Sequence, residues 1–222
     1  MNNDDEDWIE SLKRSIAAIK TIIPTVLPKI INGTIKVIEK IPDSKNRDKD
    51  DVSVLLDIYS GVDYLRKDNN GIQSIASRAQ FDGTFSSFTI REKRETGTKT
   101  EFEKRSVARK EGYEYPKFTL QAYFETKTIF NLINVAIIKT DTLYDFIEKY
   151  PELVDIKKSN NDFKIVYWRH IVEKFGTSVI NIYVVRDVFE RICHYNDRSI
   201  SLEEYSMSLY KVKNISLLNP PF

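Results

Sequence analysis

The sequence predicts an α/β (α+β) fold, with a central mixed β-sheet flanked by helices and an N-terminal helical segment before it. Three observations predict it. Apolar residues recur at three- and four-residue steps near the N-terminus, at Trp8, Ile9, Leu12, Ile16, Ile19, Ile22 and Ile23, as on one face of an amphipathic helix. Short apolar or alternating runs follow, separated by turn residues such as Asn70-Gly71 and Asp82-Gly83. Helix-like stretches with their own start and stop residues are interleaved among these runs.

Composition narrows the class. Hydrophobic residues at 41% and a net charge of +1 argue against disorder. Seven Gly and seven Pro among 222 residues exclude a collagen-like or linker-like chain. One Cys cannot form an intrachain disulfide, so a stapled secreted scaffold is excluded. The balance of 34 Lys+Arg against 33 Asp+Glu removes the simplest argument for a nucleic-acid-binding domain, a strong basic excess. The leader Asn3-Asp4-Asp5-Glu6-Asp7 is acidic where a signal peptide would be basic and then apolar. No run reaches the ~18 apolar residues of a spanning helix. The expectation is a cytoplasmic protein with no membrane partner.

The elements follow in order. Residues 1–42 read as a helical segment. Asp7 is a reasonable N-cap for the first helix, and Pro24 and Pro28 should end it. Ile30, Ile31, Ile35, Val37 and Ile38 predict a second helix over residues 29–40, weakened by Gly33. Residues 43–51 form a charged linker, and residues 52–222 the α/β domain. Residues 52–65 are strand-like. Asn70-Gly71 predicts a hairpin turn, because Asn-Gly tolerates positive φ, and residues 72–81 form the returning strand. Further strands are predicted over 86–91, 117–124, 129–138 and 162–168. Residues 100–111 form a helix stopped by Gly112. Thr140 or Asp141 caps another helix that Pro151 closes. Residues 178–185 fit a strand or a buried helix equally. Residues 187–195 read as helical, and the tail ending in Pro220-Pro221-Phe222 as an extended packed segment or a mobile one.

Several chemistries lack their residues. Gly97-Thr98-Lys99-Thr100 resembles the end of a phosphate loop, but the upstream glycine is missing. Cys193 and His194 are adjacent, so they do not face each other as nucleophile and base. His170 and His194 are too few and too far apart for a zinc site.

The informative stretch is 54–91. In one regular strand over 57–65, Asp57 and Asp63 project to the same face. On the partner strand Ser74, Ala76, Arg78 and Gln80 share a face. Mg²⁺ takes hard oxygen ligands, usually one or two carboxylates plus substrate phosphate oxygens. A neighbouring cation or amide can orient water or hold the phosphate. The same aspartates serve equally well as exposed residues on the polar side of a half-solvated sheet.

This layout resembles the restriction-endonuclease-like, PD-(D/E)XK, nuclease superfamily over about residues 52–125, on Gly61-Val62-Asp63, the spacing to Arg78-Ala79-Gln80, and the helix and strand that follow. The family's core runs helix, three strands, helix, strand. It carries an Asp on the second strand and a (Glu/Asp)-x-Lys on the third. Here Arg78 stands at the acidic position and Gln80 at the lysine position. Alternatively Gln80 and Asp82 fill those slots, or the groups migrate to Glu101 and Lys104. The resemblance implies Mg²⁺ held by Asp57, Asp63 and Glu101. It implies catalytic roles for Asp63, Gln80 and Lys104.

Residues 91–110 hold eight basic residues against four acidic ones. Arg91, Lys93, Arg94 and Arg105, with Arg78, are the candidate nucleic-acid contacts. A solvated helix laced with i,i+4 pairs, such as Glu101 with Arg105, accounts for the same charges. On the strand 117–125 the alternation puts Gln121 and Tyr123 on a polar face that reads as exposed sheet, or as an extension of a substrate groove. The N-terminal helices either pack on the domain or join a protein partner or a second copy. The expectation is a metal-dependent nuclease or DNA-processing protein acting on phosphodiester bonds. The alternative is a non-catalytic nucleic-acid-binding or protein-assembly module.

Overall fold

The computed structural model describes residues 3–22, 26, 34–37, 63–69, 71–82, 86–94, 100–158, 161–185 and 215–218. Among these, the helices are α1 (Asn3–Ile22), α2 (Glu101–Glu111), α3 (Thr140–Lys149) and α4 (Trp168–Phe175). The strands are β1 (Thr34–Val37), β2 (Tyr64–Asp68), β3 (Gly71–Phe81), β4 (Ser87–Arg94), β5 (Phe118–Phe124), β6 (Leu132–Lys139), β7 (Val154–Lys157), β8 (Asn161–Tyr167), β9 (Ile180–Val185) and β10 (Ile215–Leu218). The expected strand 52–59, the linker 43–51, the turn at Gly83 and the helix 187–195 lie outside the described residues.

The strands form two sheets. A seven-stranded sheet has the order β1-β2-β3-β5-β6-β9-β10, and a three-stranded sheet the order β4-β8-β7. The larger sheet is mixed: β3 runs parallel to β5, β9 parallel to β10, and the other neighbours are antiparallel. The crossover from β3 to β5 carries β4 and α2, which brings both onto the sheet between the strands they connect.

Local signals set several boundaries. Thr100 caps α2: its hydroxyl accepts from the Glu103 amide at 3.3 Å, and Glu103 Oε2 accepts from the Thr100 amide at 2.8 Å. This reciprocal capping box satisfies two of the donors a helix start leaves orphaned. Gly112, at φ 76°, closes the helix in the left-handed conformation. In the hairpin, Asp68 pairs with Gly71, so the two-residue loop is Asn69-Asn70, one position earlier than Asn-Gly suggested. Gly71 itself holds φ 113°.

Two expectations at the N-terminus are corrected. The helix α1 starts at Asn3, so Asp7 lies inside it rather than capping it. Within the expected helix 29–40, residues Thr34–Val37 form β1, paired with β2 in the large sheet. Thr34, Ile35 and Val37 are β-branched, and an available partner strand decides in favour of extended backbone. The C-terminal end of α1 packs on β3, and Ala18, Ile19 and Ile22 are buried in the core.

The central strands are buried on both sides. All but the first residue of β5, and all but the last of β6, are buried. One face of β5 contributes Leu120, Ala122 and Phe124 to an apolar core. The other presents Thr119, Gln121 and Tyr123, equally buried. The alternation that read as a solvated face is therefore an interior polar layer. The second layer covers it. Thr140, at the start of α3, meets the Thr119 hydroxyl at 3.0 Å, and Tyr123 donates to the Ser87 carbonyl at 2.8 Å.

The helices α2 and α3 are tied by one side chain. Arg109 reaches Asp141 at 3.0 Å, Asp145 at 2.6 Å and Glu148 at 3.5 Å, and its plane lies over Tyr144. Tyr115 donates its hydroxyl to the same Asp141 oxygen at 2.5 Å. Partial burial pushes the Asp141 carboxyl up. The bonds from Tyr115 and Arg109 and the charges of Arg109 and Lys117 outweigh this, holding it below its ordinary 3.8.

Two outcomes check these links. Thr100→Ala should cost about 1–2 kcal/mol in urea unfolding, since it removes the cap and a hydroxyl bond to the Glu92 carbonyl. Asp141 is more acidic folded than unfolded, so its contribution is full above 3.8 and fades as pH falls below it. Asp141→Asn should lower the melting temperature at pH 7, and the gap from wild type should close as both are titrated below 3.8. A gap that persists in acid would show that the carboxylate's charge is not what matters.

Candidate functional site

The register places the site. Ala76, Arg78 and Gln80 of β3 pair with Thr119, Gln121 and Tyr123 of β5, so all six lie on one face of the large sheet. Asp63 immediately precedes β2, and its amide donates to the Ile75 carbonyl at 2.9 Å, which continues the ladder by one residue. That puts Asp63 opposite Ala76, on the same face as Arg78. The helix α2 and strands β4 and β8 face this side.

Asp63 is buried at 9% exposure. Its Oδ2 accepts from the Ser77 amide at 2.5 Å and from the Ser77 hydroxyl at 3.2 Å.

Arg105 of α2 lies under this carboxylate, at 6% exposure. Burial alone would lower its pKa. Tyr144, Glu101 and Asp63 act against that, through charge and through a hydrogen bond with Tyr144, and hold the pKa above its ordinary value. Arg105 is therefore a permanent interior cation, and Asp63 and Glu101 are its two carboxylate counter-charges. Its Nε is buried and makes no hydrogen bond. Tyr144 stacks on Phe102 at 5.3 Å, and burial pushes its phenol up to about 12.

Arg78 stands on the other side of Glu101, 3.8 Å from its carboxylate. Its guanidinium lies 4.7 Å from the centre of the Phe163 ring, and that of Arg91 lies 5.7 Å from the same centre. Arg78 and Glu101 are about one-third exposed or less, at 27% and 35%, so they are more open to solvent than the buried Asp63 and Arg105. Beside Arg78 on the same face runs a chain of amides. Gln80 Oε1 accepts from Gln121 at 3.3 Å, and Gln121 Oε1 accepts from the Thr89 amide at 3.3 Å and hydroxyl at 3.0 Å. Burial pushes the neighbouring Tyr123 phenol up to about 12, so it is a neutral donor at ordinary pH.

The structure thus gathers Asp63, Arg78, Gln80, Glu101 and Arg105 on one face. It separates others. Lys93 is exposed further along β4, and Lys104 is half-buried on α2 one residue before Arg105. The side chain of Arg94, and all of Asp57, lie outside the described residues. Arg105 was expected as a surface contact to a nucleic-acid backbone, and the structure buries it among carboxylates. Ser77, Tyr144 and Phe163 carry no motif and were not singled out, and Thr89 was named only as sharing a strand face with Arg91 and Lys93. For Ser77 and Phe163 the sequence signal was strand alternation, and for Tyr144 helix periodicity, across elements not yet known to be neighbours.

Mg²⁺ takes one or two carboxylates and completes its shell with water and substrate oxygens, and Asp63 and Glu101 are carboxylates of that chemical type. Among the described residues no group of three or more His, Cys, Asp or Glu converges. No helix among the described residues is long and apolar enough to cross a membrane. The chain matches no protein-family model, no curated protein and no solved structure.

The buried cation gives a direct test. Arg105→Met removes the buried cation that Asp63 and Glu101 both attract and should cost about 3 kcal/mol or more in urea unfolding. Adding Asp63→Asn should recover part of that loss, because it removes one of the uncompensated charges. Strictly additive losses would show that Arg105 and Asp63 do not interact.

Proposed function

We propose that the protein processes nucleic acid as a metal-dependent phosphodiesterase built on a restriction-endonuclease-like core. The observation that carries this reading is the pairing of Asp63 with Glu101 around one buried guanidinium, beside an accessible arginine. The element order supports it: α1, then β1, β2 and β3, then α2, then β5, with Asp63 at the second strand and Arg78 and Gln80 on the third. The strand β4 is inserted before α2.

In this reading Asp63 and Glu101 would hold one Mg²⁺, which when bound would supply Lewis-acid stabilisation of the phosphate and activate water. Asp63 Oδ2 is oriented by the two Ser77 donors, which fixes the carboxylate before any ligand arrives. Gln80, held by Gln121, would contact the attacked phosphate or its water, and Lys104, which lies apart from these residues on α2, would have to reach in from the helix. Arg78 and Arg91 hold the backbone, with Lys93 and Arg94 further along β4.

A specific observation favours a second reading, a protein that binds nucleic acid without cutting it. Arg78 occupies the position of the family's second carboxylate. With Arg105 it makes the four-residue cluster neutral: two guanidiniums against two carboxylates. A neutral cluster attracts a free divalent cation less than a pair of bare carboxylates would.

Incubation with plasmid and with single-stranded DNA, in Mg²⁺ and separately in Mn²⁺, separates the readings. Cutting that is lost in both Asp63→Asn and Glu101→Gln, with each variant still melting cooperatively, supports the phosphodiesterase. Binding without cutting in either metal supports the second reading.

A further inference from the structure

The arginines near the site are used in different ways. Arg109 spends all three of its nitrogens on carboxylates. Arg105 is buried and committed to Tyr144, Glu101 and Asp63. Arg78 forms no hydrogen bond among the described residues. Its one ion pair, to Glu101 at 3.8 Å, is beyond hydrogen-bond reach, and its side chain is 27% exposed. A guanidinium carries five donors in a rigid planar fork.

That fork is already oriented. Phe163 lies against it at 4.7 Å, and Glu101 steers one side of it without saturating it. The Arg91 guanidinium lies 5.7 Å from the centre of the same Phe163 ring, so a second positive charge is near the first. An oxyanion on Arg78 is attracted to that charge as well. The planar fork with unspent donors suits the two oxygens of a phosphate group, which it can engage bidentately.

We propose that Arg78 is the receptor for a phosphate of a nucleic-acid backbone, held ready by Phe163 and binding without a divalent cation. This deepens the reading above and rests on it for the substrate class. The consequence is an order of events. Phosphate docks on Arg78 first, and its oxygens then help complete the shell of an ion that the neutral cluster holds weakly by itself.

The test is fluorescence anisotropy of a labelled, unphosphorylated single-stranded DNA oligonucleotide in EDTA, across a salt series. Arg78→Gln should weaken binding about tenfold or more and lower the logarithmic salt slope by about 0.7, the loss of one phosphate contact. Arg78→Lys should fall between wild type and Arg78→Gln, because it keeps the charge and loses the fork. Phe163→Leu should weaken binding while leaving the slope unchanged, and it serves as the second variant if Arg78→Gln melts early. Lys139→Gln removes the same charge from an exposed position that the register puts on the opposite face of the sheet. It should change little.

Equal weakening by Arg78→Gln and Lys139→Gln would overturn the assignment, as would absence of binding by wild type in EDTA. A 5′-phosphorylated oligonucleotide and inorganic phosphate as competitor identify the source. Indifference to both points to internal phosphodiesters, as proposed. Arg78-dependent binding that requires the 5′-phosphate, or that inorganic phosphate displaces, would overturn the backbone assignment in favour of a terminal phosphate. Failure here is distinct from failure of the phosphodiesterase reading. Cutting in Mg²⁺ with normal binding by Arg78→Gln would remove only Arg78. Arg78-dependent binding with no cutting would remove only the chemistry.

Discussion

A guanidinium taken out of water must be paired, and the site is arranged around that requirement at Arg105. An arginine does not neutralise itself by losing a proton, so burial has to be met with opposite charge and hydrogen bonds. Here that falls to Asp63 from the large sheet, Glu101 one turn earlier on the same helix, and Tyr144 from α3. Three elements distant in sequence are thereby held together over one face of the sheet. The polar residues beneath, Gln121 and Tyr123, extend the same constraint toward β4. Each buried donor or acceptor there needs a partner, and Ser87, Thr89 and Gln80 supply them.

The two arginines of α2 show how similar residues come to do different work. Arg105 and Arg109 are four residues apart and lie on neighbouring turns. Arg105 points toward the sheet and is compensated by buried or half-buried groups. Arg109 meets carboxylates of α3 that are about half exposed. Solvent weakens each of those pairs, so their value lies in number and in the planar fork that engages three at once. One arginine orders the site, and the other locks the helix that carries it.

What was legible in the sequence was what local chemistry decides. The bounds of α2 follow from Thr100, Glu103 and Gly112, which act within a few residues of themselves, and the sequence placed them correctly. The hairpin was legible to within one residue for the same reason. What was not legible depended on distant neighbours. Thr34–Val37 carries a pattern that serves helix or strand, and only the presence of β2 selects the strand. Residues 178–185 were undecided until β6 and β10 enclosed Ile180–Val185 on both edges. Gln121 and Tyr123 alternate with apolar residues as an exposed face would, and only the second layer makes that face interior. The candidate site divides along the same line. Asp63, Arg78, Gln80 and Glu101 were named from spacing and from the family resemblance. The burial of Arg105, and the parts played by Ser77 and Phe163, required the fold.

The charge balance of the whole chain concealed the arrangement that bears on function. A net +1 over 222 residues says nothing about two arginines that share one aromatic ring. Near that ring the relevant quantity is local: Arg78 and Arg91 against Glu101, with Asp63 and Arg105 cancelling. Screening in cell-like salt limits the reach of surface charge to about 8 Å, so the local balance counts for more there than the total over the chain. A chain of neutral total charge can then hold an anion by one well-placed fork.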